Sequence, residues 1–356
     1  MRVAIAAGGT GGHVYPAVAV AAALLARGDD VHWIGRPSSL EESEAKILGI
    51  AFTAIPLQGL KRRLTWENMR ALFRFIVGRR VAKIALAKLG VDVLFALGSY
   101  VSAPAISAAL ALRLPFVVHE QNVVPGLVVG AYARKAAMVL LTKPLVGSPA
   151  LASMRVVGMP LRPNILEERR AEWYGDLGLD PGKRTLFIFG GSQGAKVLCT
   201  TGIELGHRWE QTRPDWQILL QTGVANLAWV QEAAGGLNVV PVGHLREMGK
   251  AYACADVIVS RSGAVSCSEL ETVGKPVILV PYPHATRDHQ RLNAESYVAT
   301  RPGRVVAEKD LNAGVLEASI DALKDTAVDP KNPRESAAPV LRIVEALDEV
   351  VQRGKQ

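Results

Sequence analysis

Two stretches of this 356-residue chain share one unusual shape: a short apolar run that ends in a glycine-rich loop and continues into a helix-forming stretch. The first is Ala6-Ala7-Gly8-Gly9-Thr10-Gly11-Gly12, after the run Val3–Ala7. The second is Phe189-Gly190-Gly191-Ser192-Gln193-Gly194-Ala195, after Leu186–Gly190. Glycines at such a junction let the backbone come close to a bound phosphate or sugar, and the helix that follows offers unpaired N–H groups and a partial positive charge. Two such loops, each opening one half of the chain, predict two ligand-facing loops, one per domain, facing each other across a cleft at the carboxyl ends of parallel strands.

The rest of the sequence keeps the same rhythm. Val31–Gly35, Val93–Leu97, Phe116–His119, Ile218–Gln221, Val257–Ser260 and Val277–Pro281 are continuous apolar runs, the pattern of strands buried on both faces. Alanine- and leucine-rich stretches of helical length lie between several of them, such as Ala17–Arg27 and Ser102–Arg113. The class is α/β with parallel sheets. At about 150 residues per domain the length allows two domains. The segment Gly158-Met159-Pro160-Leu161-Arg162-Pro163-Asn164 has linker composition, so the expected halves are 1–160 and 161–338. A last helix, 339–356, is expected to fold back onto the first half.

Composition removes several alternatives. Hydrophobic residues make up 49% and charged residues 21%, which excludes a disordered chain. Cys199, Cys254 and Cys267 are too few and too scattered for a disulfide framework, in keeping with a reducing cytoplasm. The net charge of +8 favours anionic partners, but aromatics are only 6% and do not interleave with basic residues, so no nucleic-acid partner is expected. The start imitates a secretory signal until the first glycine loop interrupts it. The most apolar window, 101–118, carries Pro104, Arg113 and Pro115, so no spanning segment is expected. The loops also fail two familiar tests. Counting from Gly9, the third position of a dinucleotide fingerprint is Val14, and Arg36 follows the second strand where an acid is needed. A P-loop fails because His13 replaces its glycine in the first loop, and Ala195 and Val197 flank Lys196 in the second.

Four polar clusters follow strands. His13 starts a helix directly after the first loop, where a neutral imidazole can take a proton from a sugar hydroxyl; an ordinary surface histidine is the plain alternative. His119-Glu120-Gln121-Asn122 presents either four polar side chains at a cleft edge or a capped loop with its polar groups satisfied. Ser260–Glu269 offers a Ser/Gly turn entering a helix, with Glu269 suited to accept both hydroxyls of a ribose. His284–Gln290, with Asn293, mixes donors and acceptors suited to a neutral sugar; its spacing fits no standard metal motif, and no metal or cofactor is expected. Finally, Leu57–Lys83 carries eight Lys/Arg against Glu67, interleaved with Leu60, Leu64, Trp66, Leu72, Phe73, Phe75, Ile76 and Val77. That mixture suits an anionic membrane surface, or a helix packed on the sheet with a basic solvent face.

In their order, several motifs resemble one family closely: Gly8-Gly9-Thr10-Gly11-Gly12-His13-Val14-Tyr15-Pro16, Gly98-Ser99-Tyr100-Val101-Ser102-Ala103-Pro104, His119-Glu120-Gln121-Asn122, Gly190–Ala195, Arg261-Ser262-Gly263-Ala264 and Asp288-His289-Gln290. The chain resembles the peptidoglycan N-acetylglucosaminyltransferases of glycosyltransferase family 28, which transfer N-acetylglucosamine (GlcNAc) from UDP-GlcNAc to lipid I and make lipid II. The resemblance implies the GT-B fold, two Rossmann-like domains with parallel sheets, and an inverting reaction at the 4-hydroxyl of the acceptor's N-acetylmuramic acid. It implies that Arg162 and Ser192 meet the donor diphosphate and that the backbone at Leu245 meets uracil. Ala264, Val265, Ser266, Cys267, Ser268 and Glu269 would hold ribose and phosphate, and Gln290 the GlcNAc. Thr10, Gly11, Gly12 and Asn122 would reach the donor sugar. His13 is the expected base, with Glu120 and His119 as alternates. The implied partners are UDP-GlcNAc, lipid I and the anionic inner leaflet, at the cytoplasmic face of a bacterial inner membrane. A related lipid glycosyltransferase, a UDP-sugar epimerase and a noncatalytic UDP-sugar-binding protein remain the alternatives. The family pattern has glycines where Ser99 and Ala103 stand here.

Overall fold

The computed structural model describes residues 1–57, 66–147, 151, 153–326, 328–330 and 332–354. It divides into two compact units, Met1–Arg162 with Ala337–Gln356, and Pro163–Ser336.

Among the described residues of the first unit the strands are β1 (Arg2–Ala6), β2 (Asp30–Gly35), β3 (Ala51–Ala54), β4 (Val93–Ala96), β5 (Phe116–Glu120), β6 (Met138–Leu141) and β7 (Met154–Val156). They form one parallel sheet in the order β3-β2-β1-β4-β5-β6-β7. The chain winds outward from β1 to β3, then returns to β4 on the other side of β1. That reversal makes the exit of β1 a topological switch point. Side chains on β1 alternate between two cores, as the pleat requires. Val3 and Ile5 pack with Val20, Leu24 and Trp33 on one face. Ala4 and Ala6 pack with Ile34, Leu94 and Ile106 on the other.

The C-terminal helix Pro333–Arg353 starts earlier than the sequence suggested, and Pro339 lies inside it. Its apolar stripe, Ile343, Leu347 and Val350, enters the first unit's core. Full burial of each such side chain contributes about 1.5–3 kcal/mol. Arg27–Asp348 and Arg155–Glu349 pair at its exposed rim, where ion pairs add little. The first unit also runs through Arg162, because buried Leu161 and the Arg162 guanidinium, stacked 4.3 Å over Tyr15, tie that stretch to it.

The second unit repeats the plan among its described residues. Its strands are β8 (Arg184–Phe189), β9 (Trp216–Gln221), β10 (Val239–Val242), β11 (Val257–Ser260), β12 (Val277–Leu279) and β13 (Gly303–Val305). The parallel order β10-β9-β8-β11-β12-β13 puts the exit of β8 at its own switch point. Leu186 and Ile188 face the core with Leu198, Trp209 and Ile218. Phe187 and Phe189 turn the other way, onto the edge of the Tyr252 ring.

Candidate functional site

The first glycine loop joins β1 to the helix Gly11–Ala26. Gly9 has φ +95, a conformation that L side chains rarely adopt. A Cβ on Gly8 would lie 2.3 Å from Glu41 Oε1, so any side chain there would have to displace the buried Glu41 carboxylate. Thr10 is the N-cap, with extended φ/ψ, but its side chain caps no amide. Its hydroxyl instead lies 3.1 Å from His13 Nδ1. With Nδ1–H donating to that hydroxyl, the lone pair of the neutral ring sits on Nε2. Gly11 is buried, Gly12 and His13 are half-buried, and Thr10 is exposed. The first turn of this helix has no acidic residue to offset its positive end.

His119, Glu120 and Gln121 do not line an edge: they are 0%, 2% and 5% exposed. β5 extends through Glu120 and lies between β4 and β6 inside the sheet, so its end is not an open edge. Glu120 Oε1 accepts from the Asn122 N–H at 3.0 Å and from Asn122 Nδ2 at 3.2 Å, and Oε2 accepts from the Gly126 N–H at 2.7 Å. The carboxylate thus ties the loop after β5. Burial pushes its acid up, opposed by these amide donors. Gln121 donates to the Leu97 carbonyl at 3.2 Å, and Asn122 is half-buried. His119 Nε2 donates to the Gly158 carbonyl at 3.0 Å, while its buried Nδ1 has no partner. Burial, and to a lesser degree the charge on nearby His13, hold its pKa down at about 4, against the Gly158 bond.

Three residues that the motifs did not single out as site residues frame the same loop. Glu41 is fully buried on the helix Leu40–Ile47. Its Oε1 accepts from both the backbone N–H and the Nε of Arg36, each at 3.3 Å. The Arg36 guanidinium stacks 5.8 Å from the Tyr100 ring centre, and a Cβ on Gly9 would lie 3.0 Å from Tyr100 Cε1. No sequence signal marked them: the frame joins separate segments, and the close approach at Gly8 shows only in the structure. Ser99, in place of the family's glycine, is buried with its Oγ unpartnered. Arg162 is half-buried in this unit over Tyr15.

In the second unit the glycine loop joins β8 to the helix Lys196–Thr212. Gly194 has φ +73, and a Cβ there would lie 1.8 Å from the Thr222 carbonyl oxygen. Gly223, φ +75, presses equally on the Gln193 carbonyl. The loop is therefore clasped backbone to backbone against the exit of β9. Gln221 Nε2 donates to the Gly191 carbonyl at 3.0 Å. Ser192 is half-buried in this clasped loop, and Leu245 is half-buried between β10 and the helix Met248–Cys254.

The helix Ala264–Val273 follows β11, again with no acidic residue in its first turn. Ala264, Val265 and Ser266 are half-buried; Cys267, Ser268 and Glu269 are buried. Ser268 Oγ donates to the Ala264 carbonyl at 3.0 Å, so its hydroxyl proton is committed to its own helix. Glu269 Oε2 accepts from the buried Tyr252 hydroxyl at 2.8 Å, which fixes the carboxylate from the core side. Gln290 sits in the first turn of the helix His289–Val298. Its Oε1 accepts from the Tyr282 N–H at 3.0 Å. Ser262 Oγ donates to the Gln290 carbonyl and Asn293 Nδ2 to the Ser262 carbonyl, locking the two helix starts together. Arg287 and Asp288 precede that helix with φ +53 each, a strained pair costing roughly 1–3 kcal/mol per residue. Among the described residues, no three His, Cys, Asp or Glu side chains gather as a metal-holding group.

Residues 3–141 match the glycosyltransferase family 28 N-terminal domain, and residues 185–348 its C-terminal domain. The chain is 35% identical over 330 residues to a Dichelobacter nodosus protein named UDP-N-acetylglucosamine–N-acetylmuramyl-(pentapeptide) pyrophosphoryl-undecaprenol N-acetylglucosamine transferase, covering 90% of this chain and 88% of that one. A Bacillus licheniformis protein of the same name is 32% identical, with 90% and 89% covered. The crystal structure of Acinetobacter baumannii MurG matches with a TM-score of 0.72 at 26% identity, over 98% of this chain and 99% of that one.

Proposed function

This chain belongs to glycosyltransferase family 28, and from that membership we infer how its residues divide the reaction. It is a GT-B hexosyltransferase that moves GlcNAc from UDP-GlcNAc to lipid I, forming lipid II. In our assignment the second unit takes the donor. The Ser192 loop and the helix starts at Lys196 and Ala264 face the diphosphate, where two helix dipoles favour negative charge. Glu269, held by Tyr252, accepts the ribose hydroxyls. The backbone at Leu245 meets uracil, and Gln290 the GlcNAc. Arg162 adds a cation for the diphosphate, and Thr10, Gly11, Gly12 and Asn122 meet the donor sugar.

The first unit takes the acceptor and supplies the base. The acceptor hydroxyl attacks the anomeric carbon on the face opposite UDP, so α becomes β. UDP leaves with growing negative charge, which pre-set amides stabilise. One observation carries the choice of His13 as base: the Thr10 hydroxyl 3.1 Å from Nδ1, which can fix the ring with its lone pair on Nε2. Both oxygens of Glu120 are occupied by loop donors. His119 is buried and too weak a base at neutral pH; it serves better as a neutral neighbour that does not compete for the proton.

We assign the membrane contact to the helix Trp66–Leu89. Met69, Leu72, Phe73, Ile76 and Ile84 are 57–67% exposed and recur at helical spacing. Exposed Arg70, Arg74, Arg79, Arg80 and Lys83 lie among them. Each cation near an anionic leaflet adds about 1 kcal/mol. The remainder of the predicted basic stretch, 58–65, lies outside the described residues. No described helix is long and apolar enough to cross a membrane. The exposed apolar and cationic side chains of this helix support a peripheral contact, which we assign to the cytoplasmic leaflet, where UDP-GlcNAc is available.

His13→Ala tests the assignment. Acceptor-dependent turnover should fall about 100-fold or more, while UDP-GlcNAc binding by calorimetry stays within twofold. Retained turnover removes His13 from the chemistry. Donor binding without turnover in the unaltered protein would support the noncatalytic module instead.

A further inference from the structure

Arg36 stands where a dinucleotide-binding domain places an acid, at the exit of β2, and the functions assigned above leave it unused. Its surroundings are those of a prepared cation. Glu41, whose side chain is 1% exposed, accepts from the Arg36 backbone N–H and from Nε, and holds the base of the guanidinium. Tyr100 carries the guanidinium face. Glu41 and Tyr100 lie so close to Gly8 and Gly9 that a Cβ on either glycine would meet them, so Arg36's partners adjoin the first glycine loop.

The pairing itself is incomplete in an informative way. An arginine–carboxylate pair is frequently forked, with two N–H groups on two oxygens. Here a single oxygen takes both bonds, and Glu41 Oε2 is buried without a partner. Arg36 Nη1 and Nη2 make no hydrogen bond or ion pair among the described residues, and the side chain is 31% exposed. The fork is thus turned away from its own counter-ion. A guanidinium held at Nε and on its face, with both terminal amino groups unspent, suits bidentate recognition of a phosphate.

We propose that Arg36 recognises the pyrophosphoryl group of the lipid-linked acceptor, gripping its oxygens with Nη1 and Nη2 beside the first glycine loop. The proposal rests on the assignment of the acceptor to the first unit. The acceptor anion fits better than a bilayer headgroup, because Arg36 is a half-buried strand-exit residue, whereas the cations assigned to the membrane are exposed on the helix Trp66–Leu89.

Steady-state UDP release tests this with two acceptor analogues, one linked through pyrophosphate and one through a single phosphate. Arg36→Gln removes the charge; Arg36→Lys keeps a counter-ion for Glu41 and guards against a folding defect. Arg36→Gln should raise the KM for the pyrophosphate analogue about tenfold or more, the loss of two charge-assisted hydrogen bonds. The preference for pyrophosphate over monophosphate should collapse towards unity, and Arg36→Lys should fall between. Equal rises for both analogues, or none, overturn the proposal. So does a rise confined to the KM of UDP-GlcNAc, or a loss confined to binding of phosphatidylglycerol vesicles. Calorimetric binding of the pyrophosphate analogue, with UDP saturating, separates this idea from the function it rests on. Tighter binding by the unaltered protein than by Arg36→Gln, without turnover, would sink the transferase assignment and leave Arg36 in place.

Discussion

His119 offers the sharpest physical test of how the first unit is built. It is 0% exposed and neutral, with Nε2–H on the Gly158 carbonyl. Burial lowers its pKa from 6.5 to about 4. In the unfolded chain the ring returns to about 6.5, so between those values the unfolded state binds the proton first. Stability from this group is therefore whole above pH 6.5 and drains as the pH falls towards 4. At 1.36 kcal/mol per pH unit the full loss is roughly 3 kcal/mol, of which about 2 is gone by pH 5. His119→Gln keeps an amide that can donate to Gly158 and removes the titration. The assay is hydrogen exchange of the β5 amides at moderate urea, at pH 7.5 and pH 5, corrected for intrinsic exchange. The unaltered protein should lose about 2 kcal/mol of β5 protection between the two conditions, and the variant less than half of that. An equal loss in both would mean that His119 is not the acid-sensitive group, and would refute the inference of a buried neutral ring.

Three further outcomes follow from the geometry. Gly194→Ala should lower the melting temperature of the second unit and weaken UDP-GlcNAc binding at least tenfold, because its Cβ would meet the Thr222 carbonyl oxygen; unchanged binding by calorimetry would contradict the backbone clasp. Tyr252→Phe removes the buried bond to Glu269 and should weaken UDP binding by about 1–2 kcal/mol, whereas weakening of a 2′,3′-dideoxyribose analogue should be much smaller. Leu72→Glu with Phe73→Glu should cut sedimentation with anionic vesicles about tenfold or more without changing the melting temperature, since both side chains are about two-thirds exposed; co-sedimentation at the unaltered level would move the membrane contact elsewhere.

The central strands were legible because parallel strands covered on both faces must be continuously apolar, as in Val93–Ala96 and Val257–Ser260. The edge strands Ala51–Ala54, Met154–Val156, Val239–Val242 and Gly303–Val305 were not. They are three or four residues long and partly exposed, so nothing in their pattern demands a sheet. Met138–Leu141 is buried, but it follows an alanine-rich stretch from which its four residues do not stand out. The same limit applied at the site. His13 and Thr10 were readable because a glycine loop fixes what comes next to it in sequence. The Arg36–Glu41–Tyr100 frame joins two separate segments, and Glu41 lies in an acidic octet that reads as a solvent face. His119 and Glu120 read equally as cleft residues or as a capped loop with satisfied polar groups, and each is buried with backbone partners. Polarity alone does not separate a residue that binds substrate from one that holds a loop.

The most direct measurement is UDP release from UDP-GlcNAc with and without a short-chain lipid I analogue, with the glycosylated product identified by mass. Release that depends on the analogue, with one GlcNAc added per UDP, is the predicted result. Donor binding with no acceptor-dependent release, or release with a diacylglycerol acceptor instead, would contradict the assignment to lipid II synthesis.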